Sequence, residues 1–267
     1  MRYHCPCGDI AYESFSKSGR APAPRDSWGW CGCGARTLAA QAHYGLVDIY
    51  NVMRTTFAAR EFTGDPLPDD VLGRILDNAR FAPSGGNRQG AHVIVIRDAA
   101  TRQKLAELSM TGARRYTAQI ANGESPWNPL HEPGPSADQI AATDVPAQFT
   151  APLLNAAVLL AVCVNLEVVA AMDQHLDRIG VISGGSVYPL VWNILLAARN
   201  EGFGGTISTM AVAEEPRVRE LLCIPETYAL AAFLPLGKPV KQLTKLRRAG
   251  VAELASRERF DGEPFEG

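Results

Sequence analysis

The chain has no apolar run long enough to cross a membrane. Its most apolar stretch, Ala156-Ala-Val-Leu-Leu-Ala-Val-Cys-Val164, falls well short of the roughly 20 residues a spanning helix needs. It reads instead as a strand buried on both faces. A dominant charge is also missing. The 26 Lys and Arg nearly balance the 28 Asp and Glu, leaving a net charge of −2. No bulk attraction to nucleic acid or to an anionic membrane follows from that balance. There is no pattern of basic start, apolar centre and small-residue cleavage site, so the expected compartment is the cytoplasm. The five histidines, His4, His43, His92, His131 and His175, lack metal-ligand spacing. G-x-S-x-G, H-E-x-x-H and P-loop patterns do not occur. No catalytic side chain and no metal site are assigned, which leaves the chemistry to a cofactor.

Cysteine is scarce in the body of the chain. Cys5, Cys7, Cys31 and Cys33 crowd the start, and only Cys163 and Cys223 lie beyond. Two cysteines in a long globular body imply no disulfide framework, and both are expected to be inert core residues. The paired C-x-C spacing at the start is a poor match to structural zinc sites, which favour wider spacing. Residues 1–44 are rich in Gly, Pro, Ala, Arg, Trp and Cys and have no apolar periodicity. They read as an N-terminal extension, disordered or translated from a misassigned start. Residues 45–267 read as one domain.

From Leu46 onward the pattern is clear. A helix is expected over 48–57, and a second is capped by Asp69 with Leu72, Ile75, Leu76 and Ala79 on one face. A strand follows at 92–96, then a helix from Thr101 to about Tyr116. Residues 122–150 are rich in Pro, Gly, Ser and Asn, and a loop of that length is usually functional or disordered. Next come a strand at 156–164, a helix at 167–179, a central apolar helix at 186–201, a strand at 205–210, a helix at 214–222 and a strand at 228–236. Interleaved strands and helices make the class α/β or α+β.

Residues 82–90, Ala-Pro-Ser-Gly-Gly-Asn-Arg-Gln-Gly, stand out between a helix and a strand. Pro83 stops the helix. Gly85 and Gly86 allow positive φ and close approach of a ligand. Ser84, Asn87 and Gln89 offer hydroxyl and amide groups that can read a heterocycle edge or a sugar chain. By itself the stretch could be an ordinary turn.

The stretch resembles the A-P-S-x-x-N-x-Q signature of FMN-dependent nitroreductases. Three further pieces, in order, extend the resemblance from about Leu46 to Arg248. Met53-Arg-Thr-Thr-Phe-Ala-Ala-Arg-Glu-Phe62 is similar to the family's opening Arg-rich helix. Leu190-Val-Trp-Asn-Ile-Leu-Leu-Ala-Ala198 with Gly202-Phe-Gly-Gly-Thr206 is similar to its Q-N-L-L-L-A-A…G-L-G segment. Ile224-Pro-Glu…Leu236-Gly-Lys-Pro239…Lys245-Leu-Arg-Arg248 is similar to its C-terminal L-G-x-P…K-x-R. The resemblance implies an α+β fold, a central mixed sheet flanked by helices, in an intertwined homodimer with FMN at the interface and Trp192 near it. It also implies hydride transfer from NAD(P)H through the flavin to a small acceptor of nitroaromatic or quinone type, with ping-pong kinetics. A specialised flavin reaction on the same scaffold (dehalogenation, azoline oxidation, flavin cleavage) and a non-enzymatic FMN-binding protein are the alternatives.

The same resemblance implies the site. Arg60, at the end of the first helix, would face the flavin phosphate or the N1/O2 side of the ring. Pro83, Ser84, Gly85, Asn87 and Gln89 would read the cofactor. Gly184 and Gly185 would present backbone N–H groups near N5, and Gly204 and Gly205 would pass near the phosphate. Lys245 and Arg247 would clamp it, because two cations can neutralise a phosphomonoester. The family's second arginine, expected just before Arg60, is replaced by Thr56, Phe57 and Ala58, and Arg54 does not share a face with Arg60. Asn193 is equally readable as a satisfied core residue, and Gly202 as a helix C-cap.

Overall fold

The structure, a computed structural model, describes residues 48–266. The expectations for the extension 1–44 and its four cysteines lie outside these residues. Helix α1 (Ile49–Thr55) starts at Asp48, whose carboxylate accepts the Tyr50 N–H at 3.1 Å. It stops early because Thr56 turns to extended backbone, its hydroxyl donating to the Val52 carbonyl at 2.8 Å. Arg60 therefore lies on extended chain beyond the helix, not at its end. Helix α2 (Asp69–Ala79) is preceded by Pro68 in the cap position, so Asp69 is its first residue rather than its cap. The Asp69 carboxylate instead receives Arg97 at 2.7 Å. Strand β1 is Ala91–Ile96.

Helix α3 (Ala99–Ala121) is longer than expected at both ends, with Asp98 accepting the Thr101 N–H at 2.7 Å. The long stretch after it carries a short helix α4 (Ala137–Ala141), closed by a reciprocal Ser136–Gln139 capping box. Then follow α5 (Ala151–Asn155), β2 (Val158–Asn165), α6 (Tyr188–Asn200), β3 (Gly204–Gly205), α7 (Glu215–Leu222), β4 (Tyr228–Gly237) and α8 (Val251–Leu254). No helix among the described residues is long and apolar enough to cross a membrane.

The sheet runs β1-β2-β4-β3, each neighbouring pair antiparallel. A parallel bridge between Ala58 and Gly205 makes it mixed. β2 is the spine. Val158, Leu160, Val162 and Val164 face α2 and α6, while Leu159, Ala161 and Cys163 face α3, α5 and α7. Burial on both faces explains why the strand reads as an unbroken apolar run. The register slips between Val162 and Cys163, leaving Ala231 unpaired on β4. That bulge lets Leu230 and Phe233, an odd interval apart, share one face.

Three further expectations fail. Residues 167–179 are not a helix but turns and bends. Asp173 sits buried there and accepts the Val181 N–H at 2.7 Å, the Ile182 N–H at 3.3 Å and Arg178 Nη1 at 2.9 Å. An aspartate that satisfies distant backbone amides offers the chain an alternative to helical pairing. The expected strand 205–210 shrinks to Gly204–Gly205 plus a lone bridge from Ser208 to Phe233. Finally, Cys223 is exposed rather than core. It ends α7 in the left-handed region at φ 52°, where glycine is usual. Gly202, by contrast, does cap α6, with φ +84° and the Phe203 N–H returning to the Ala198 carbonyl at 2.8 Å.

Candidate functional site

Two groups of predicted residues emerge, and they are built differently. The first is Arg60 with Gly204 and Gly205 behind it, and of these only Arg60 lines a cleft of about 430 Å³. Arg60 is placed by the Ala59 N–H, which donates to the Gly205 carbonyl at 2.9 Å. Beyond β3 the segment Thr206–Met210 lines the same cleft, pinned where Ser208 and Phe233 exchange backbone hydrogen bonds of 2.9 and 2.8 Å. Tyr116 of α3 and Phe149 close the cleft, their rings edge to face at 5.3 Å. Gly112 permits the close approach of α3: a Cβ there would strike the Met210 backbone carbonyl.

The Phe149–Leu153 side is tied down by Arg102. This buried guanidinium donates to the carbonyls of Leu153 and Ala156, both at 2.7 Å. Burial, with the nearby charge of Arg97, pulls its pKa below the ordinary arginine value. Arg60 itself is exposed, and its one hydrogen bond is a 3.4 Å contact to the Ala58 carbonyl. Among the described residues it has no ion-pair partner, so its charge is available to an anion in the cleft.

Gly204 and Gly205 reach the cleft only through Thr206. Both are buried in β3, and a Cβ on Gly205 would collide with the Pro235 carbonyl. The small size of Gly205 lets β3 pack closely on β4, and that of Gly204 admits Pro239 and Ala59.

The second group is the loop after Pro83. Gly86, Asn87 and Gln89 all have positive φ, at 61°, 53° and 51°. Such a conformation costs of order 1 kcal/mol at each non-glycine residue. Local bonds hold it: the Gln89 N–H donates to Ser84 Oγ at 2.9 Å, and Arg88 Nε donates to the Gly85 carbonyl at 2.9 Å. The Asn87 and Gln89 side chains meet at 3.3 Å and remain exposed. The Gly85 N–H donates to Ser186 Oγ at 3.3 Å, which brings the loop against the turn containing Gly184 and Gly185. The Asp173 knot leads directly into that turn. The Val181 amide, helped by Arg178 and the Ile182 amide, holds this carboxyl below the usual carboxylate value against the cost of burial.

Lys245 and Arg247 are exposed on irregular chain after β4, and neither has an ion-pair partner among the described residues. Gln242 moors this segment, donating to the Thr55 carbonyl at 2.9 Å. The nearby Lys238 is already paired with Asp65 at 2.9 Å. Arg54 is exposed on α1, and Asn193 makes only a long 3.5 Å contact to the Ala79 carbonyl. Among the described residues no hydrogen bond joins the Arg60 cleft to the Pro83–Gln89 loop.

Sequence reasoning missed Tyr116, Gln148, Phe149 and the Thr206–Met210 turn as cleft residues. One signal was available: the hydroxyl-rich Thr206-Ile-Ser-Thr209 directly after the Gly204–Gly205 pair.

An α+β domain built on this antiparallel-cored sheet is a fold with known members. The Nitroreductase family model matches residues 53–238, and the chain belongs to that family. A NADH dehydrogenase of Thermus thermophilus is 27% identical over 191 residues, covering 68% of this chain and 82% of that protein. The structure of the NADPH:FMN oxidoreductase of Vibrio harveyi, complexed with NAD+, superposes with a TM-score of 0.56 at 18% identity, covering 80% of this chain and 78% of that one. Iodotyrosine deiodinase bound to FMN and 3-iodo-L-tyrosine gives a TM-score of 0.57 at 21% identity, covering 79% and 99%.

Proposed function

We propose that this chain is an FMN-dependent oxidoreductase that takes hydride from NAD(P)H and delivers it to a small acceptor of nitroaromatic or quinone type. The carrying observation is the Arg60 cleft. Its guanidinium, unpaired among the described residues, the hydroxyls of Thr206, Ser208 and Thr209, and the Tyr116–Phe149 aromatic wall suit a flat heterocycle with one anionic edge. When bound, FMN would supply the hydride chemistry, accepting from one substrate and donating to the next at the same place. Arg60 holds positive charge at the wall of that place. Lys245 and Arg247 supply two more cations, which suit a phosphate. The loop of Ser84, Asn87 and Gln89 supplies uncharged donors and acceptors for the polar chain and ring edge. Gly184 and Gly185 adjoin that loop through Ser186; Gly185 leaves room for a ligand near the backbone, while Gly184 packs closely on the Tyr188 ring.

The two groups are read as halves of one site completed by a second copy of the chain. That reading is supported by apolar surface on the same molecule. Trp192 and Tyr188 on α6, and Ile49, Tyr50 and Met53 on α1, are each more than 40% exposed. A patch of that kind marks an interaction surface. Anaerobic titration of the FMN-saturated protein with NADH or NADPH tests the activity. Stoichiometric bleaching, restored by menadione, is expected. A bound flavin that neither nucleotide reduces would favour a non-enzymatic FMN carrier.

A further inference from the structure

Beside the Arg60 cleft lies a second cavity of about 500 Å³. The two share Tyr116, Thr209 and Met210 as a common wall. On the far side the lining changes character. Pro126, Trp127, Val212 and Ala213 stand where the first cleft has Arg60, Gln148, Thr206 and Ser208; Tyr116 and Thr209 are the hydroxyl residues retained, and among the described residues no charged side chain lines it. A polar ligand edge would lose hydrogen bonds there, whereas an apolar ring would gain burial.

Trp127 is held in place at a cost. Its φ is +54°, a left-handed conformation rarely adopted by a bulky residue. Strain of this kind persists only where the surroundings over-determine the conformation. They do so here. The Trp127 N–H donates to Gln119 Oε1 at 3.1 Å, and its indole N–H donates to the Gly112 carbonyl at 3.2 Å. The Arg115 guanidinium lies 4.0 Å over the ring. Gln119 is 1% exposed and is itself fixed by donating to Glu124 at 2.9 Å. A fully buried amide thus orients one tryptophan, and that tryptophan walls an apolar cavity. Gly112 serves both chambers, since it accepts from Trp127 and lets Met210 approach α3.

We infer that this cavity is the subsite for an uncharged aromatic extension of the electron acceptor, the reacting ring lying beside the cofactor at the mouth of the Arg60 cleft and the extension passing Tyr116 to rest against Trp127. The inference rests on the oxidoreductase reading above and deepens it by naming the substrate class: fused or aryl-substituted acceptors over single-ring ones. Trp127, Val212 and Ala213 are its specificity-determining residues.

The test uses the full chain saturated with FMN, and compares menadione with 1,4-benzoquinone. Ala213 is exposed, so Ala213→Trp fills the cavity without entering the core. The ratio of kcat/KM for menadione over benzoquinone should fall roughly tenfold or more, the scale on which a hydrophobic pocket discriminates. A second readout needs no turnover: calorimetric Kd for 1-naphthol should rise by a similar factor relative to that for phenol. Trp127→Leu, which removes the wall rather than filling the space, should lower both preferences in the same direction. An unchanged ratio together with unchanged naphthol affinity in both variants would overturn the inference and leave the oxidoreductase reading standing. Loss of FMN from folded Ala213→Trp protein would overturn it as well, by giving the cavity to the cofactor. A native protein that retains no flavin would instead defeat the oxidoreductase reading itself, and this subsite with it.

Discussion

The Arg60 cleft and the Pro83–Gln89 loop differ in how the chain makes them. The cleft is assembled from residues far apart in sequence: Arg60, Tyr116, Phe149 and Thr206–Met210, brought together by β3, α3 and a buried arginine. The loop is local. Most of its bonds run between residues two to five apart, and it leaves its amides exposed. One is a scaffold product and resists local change. The other is a motif whose strained backbone is held by a few side chains. On the proposed reading, a site divided this way would take its cationic wall from the scaffold and its adaptable amides from the exposed loop.

The sharpest way to break the comparison is to separate the groups genetically. If they meet across two copies, Arg60→Ala and Asn87→Ala homodimers should each be nearly inactive. Mixing them should restore activity, because a mixed dimer holds one intact site. Absence of recovery in demonstrated heterodimers would place both groups in one chain's site. Next in size, the double change Lys245→Ala, Arg247→Ala should weaken FMN binding by roughly two to four orders of magnitude, at about 1.5–3 kcal/mol for each charge-assisted contact. Fluorescence titration of free FMN checks this, and full retention would remove the tail from the site.

How much was legible follows the same division. The Pro83–Gln89 loop was readable because its chemistry lies in consecutive residues: Pro stops a helix, glycine admits left-handed backbone as Gly86 does, and Ser, Asn and Gln carry polar groups; the left-handed backbone at Asn87 and Gln89 was not foreseen. The β2 spine was readable because burial on both faces leaves an unbroken apolar run. The cleft walls were not, since nothing in Tyr116 or Phe149 alone marks them as neighbours. The 167–179 segment was misread for a related reason. Its pattern fits a helix, but Asp173 finds its partners at Val181 and Ile182, and that pairing depends on burial no local window reports. Cys223 was assigned to the core from residue type, while its position past the end of α7 places it on the surface.

Smaller effects separate scaffold from motif further. Arg102→Leu should lower stability by roughly 2–6 kcal/mol, because two buried carbonyls lose their donor at about 1–3 kcal/mol each. Thermal melting measures it, with the Phe149 wall of the cleft loosened in parallel. Asp173 acts on the loop side and through pH. Its folded pKa is lowered, so its contribution is fully present above the ordinary value of 3.8 and is lost as pH falls through the folded value. Hydrogen exchange at Val181 and Ile182 should accelerate below about pH 4 relative to amides in β2. Equal protection of both segments down to acid unfolding would contradict the knot. The smallest effect concerns the thiols. Burial pushes Cys163 up to about 11, so alkylating reagents at neutral pH should modify Cys223 and spare Cys163 in native protein. Peptide mapping distinguishes the two.

The central claim is that this chain binds FMN and passes electrons through it, and the visible spectrum of the protein tests that most directly. Protein incubated with FMN and then desalted should retain about one flavin per chain and lose the oxidised flavin band when NADH or NADPH is added without oxygen. Desalted protein that is colourless, folded by circular dichroism and inert toward both nucleotides would contradict the account.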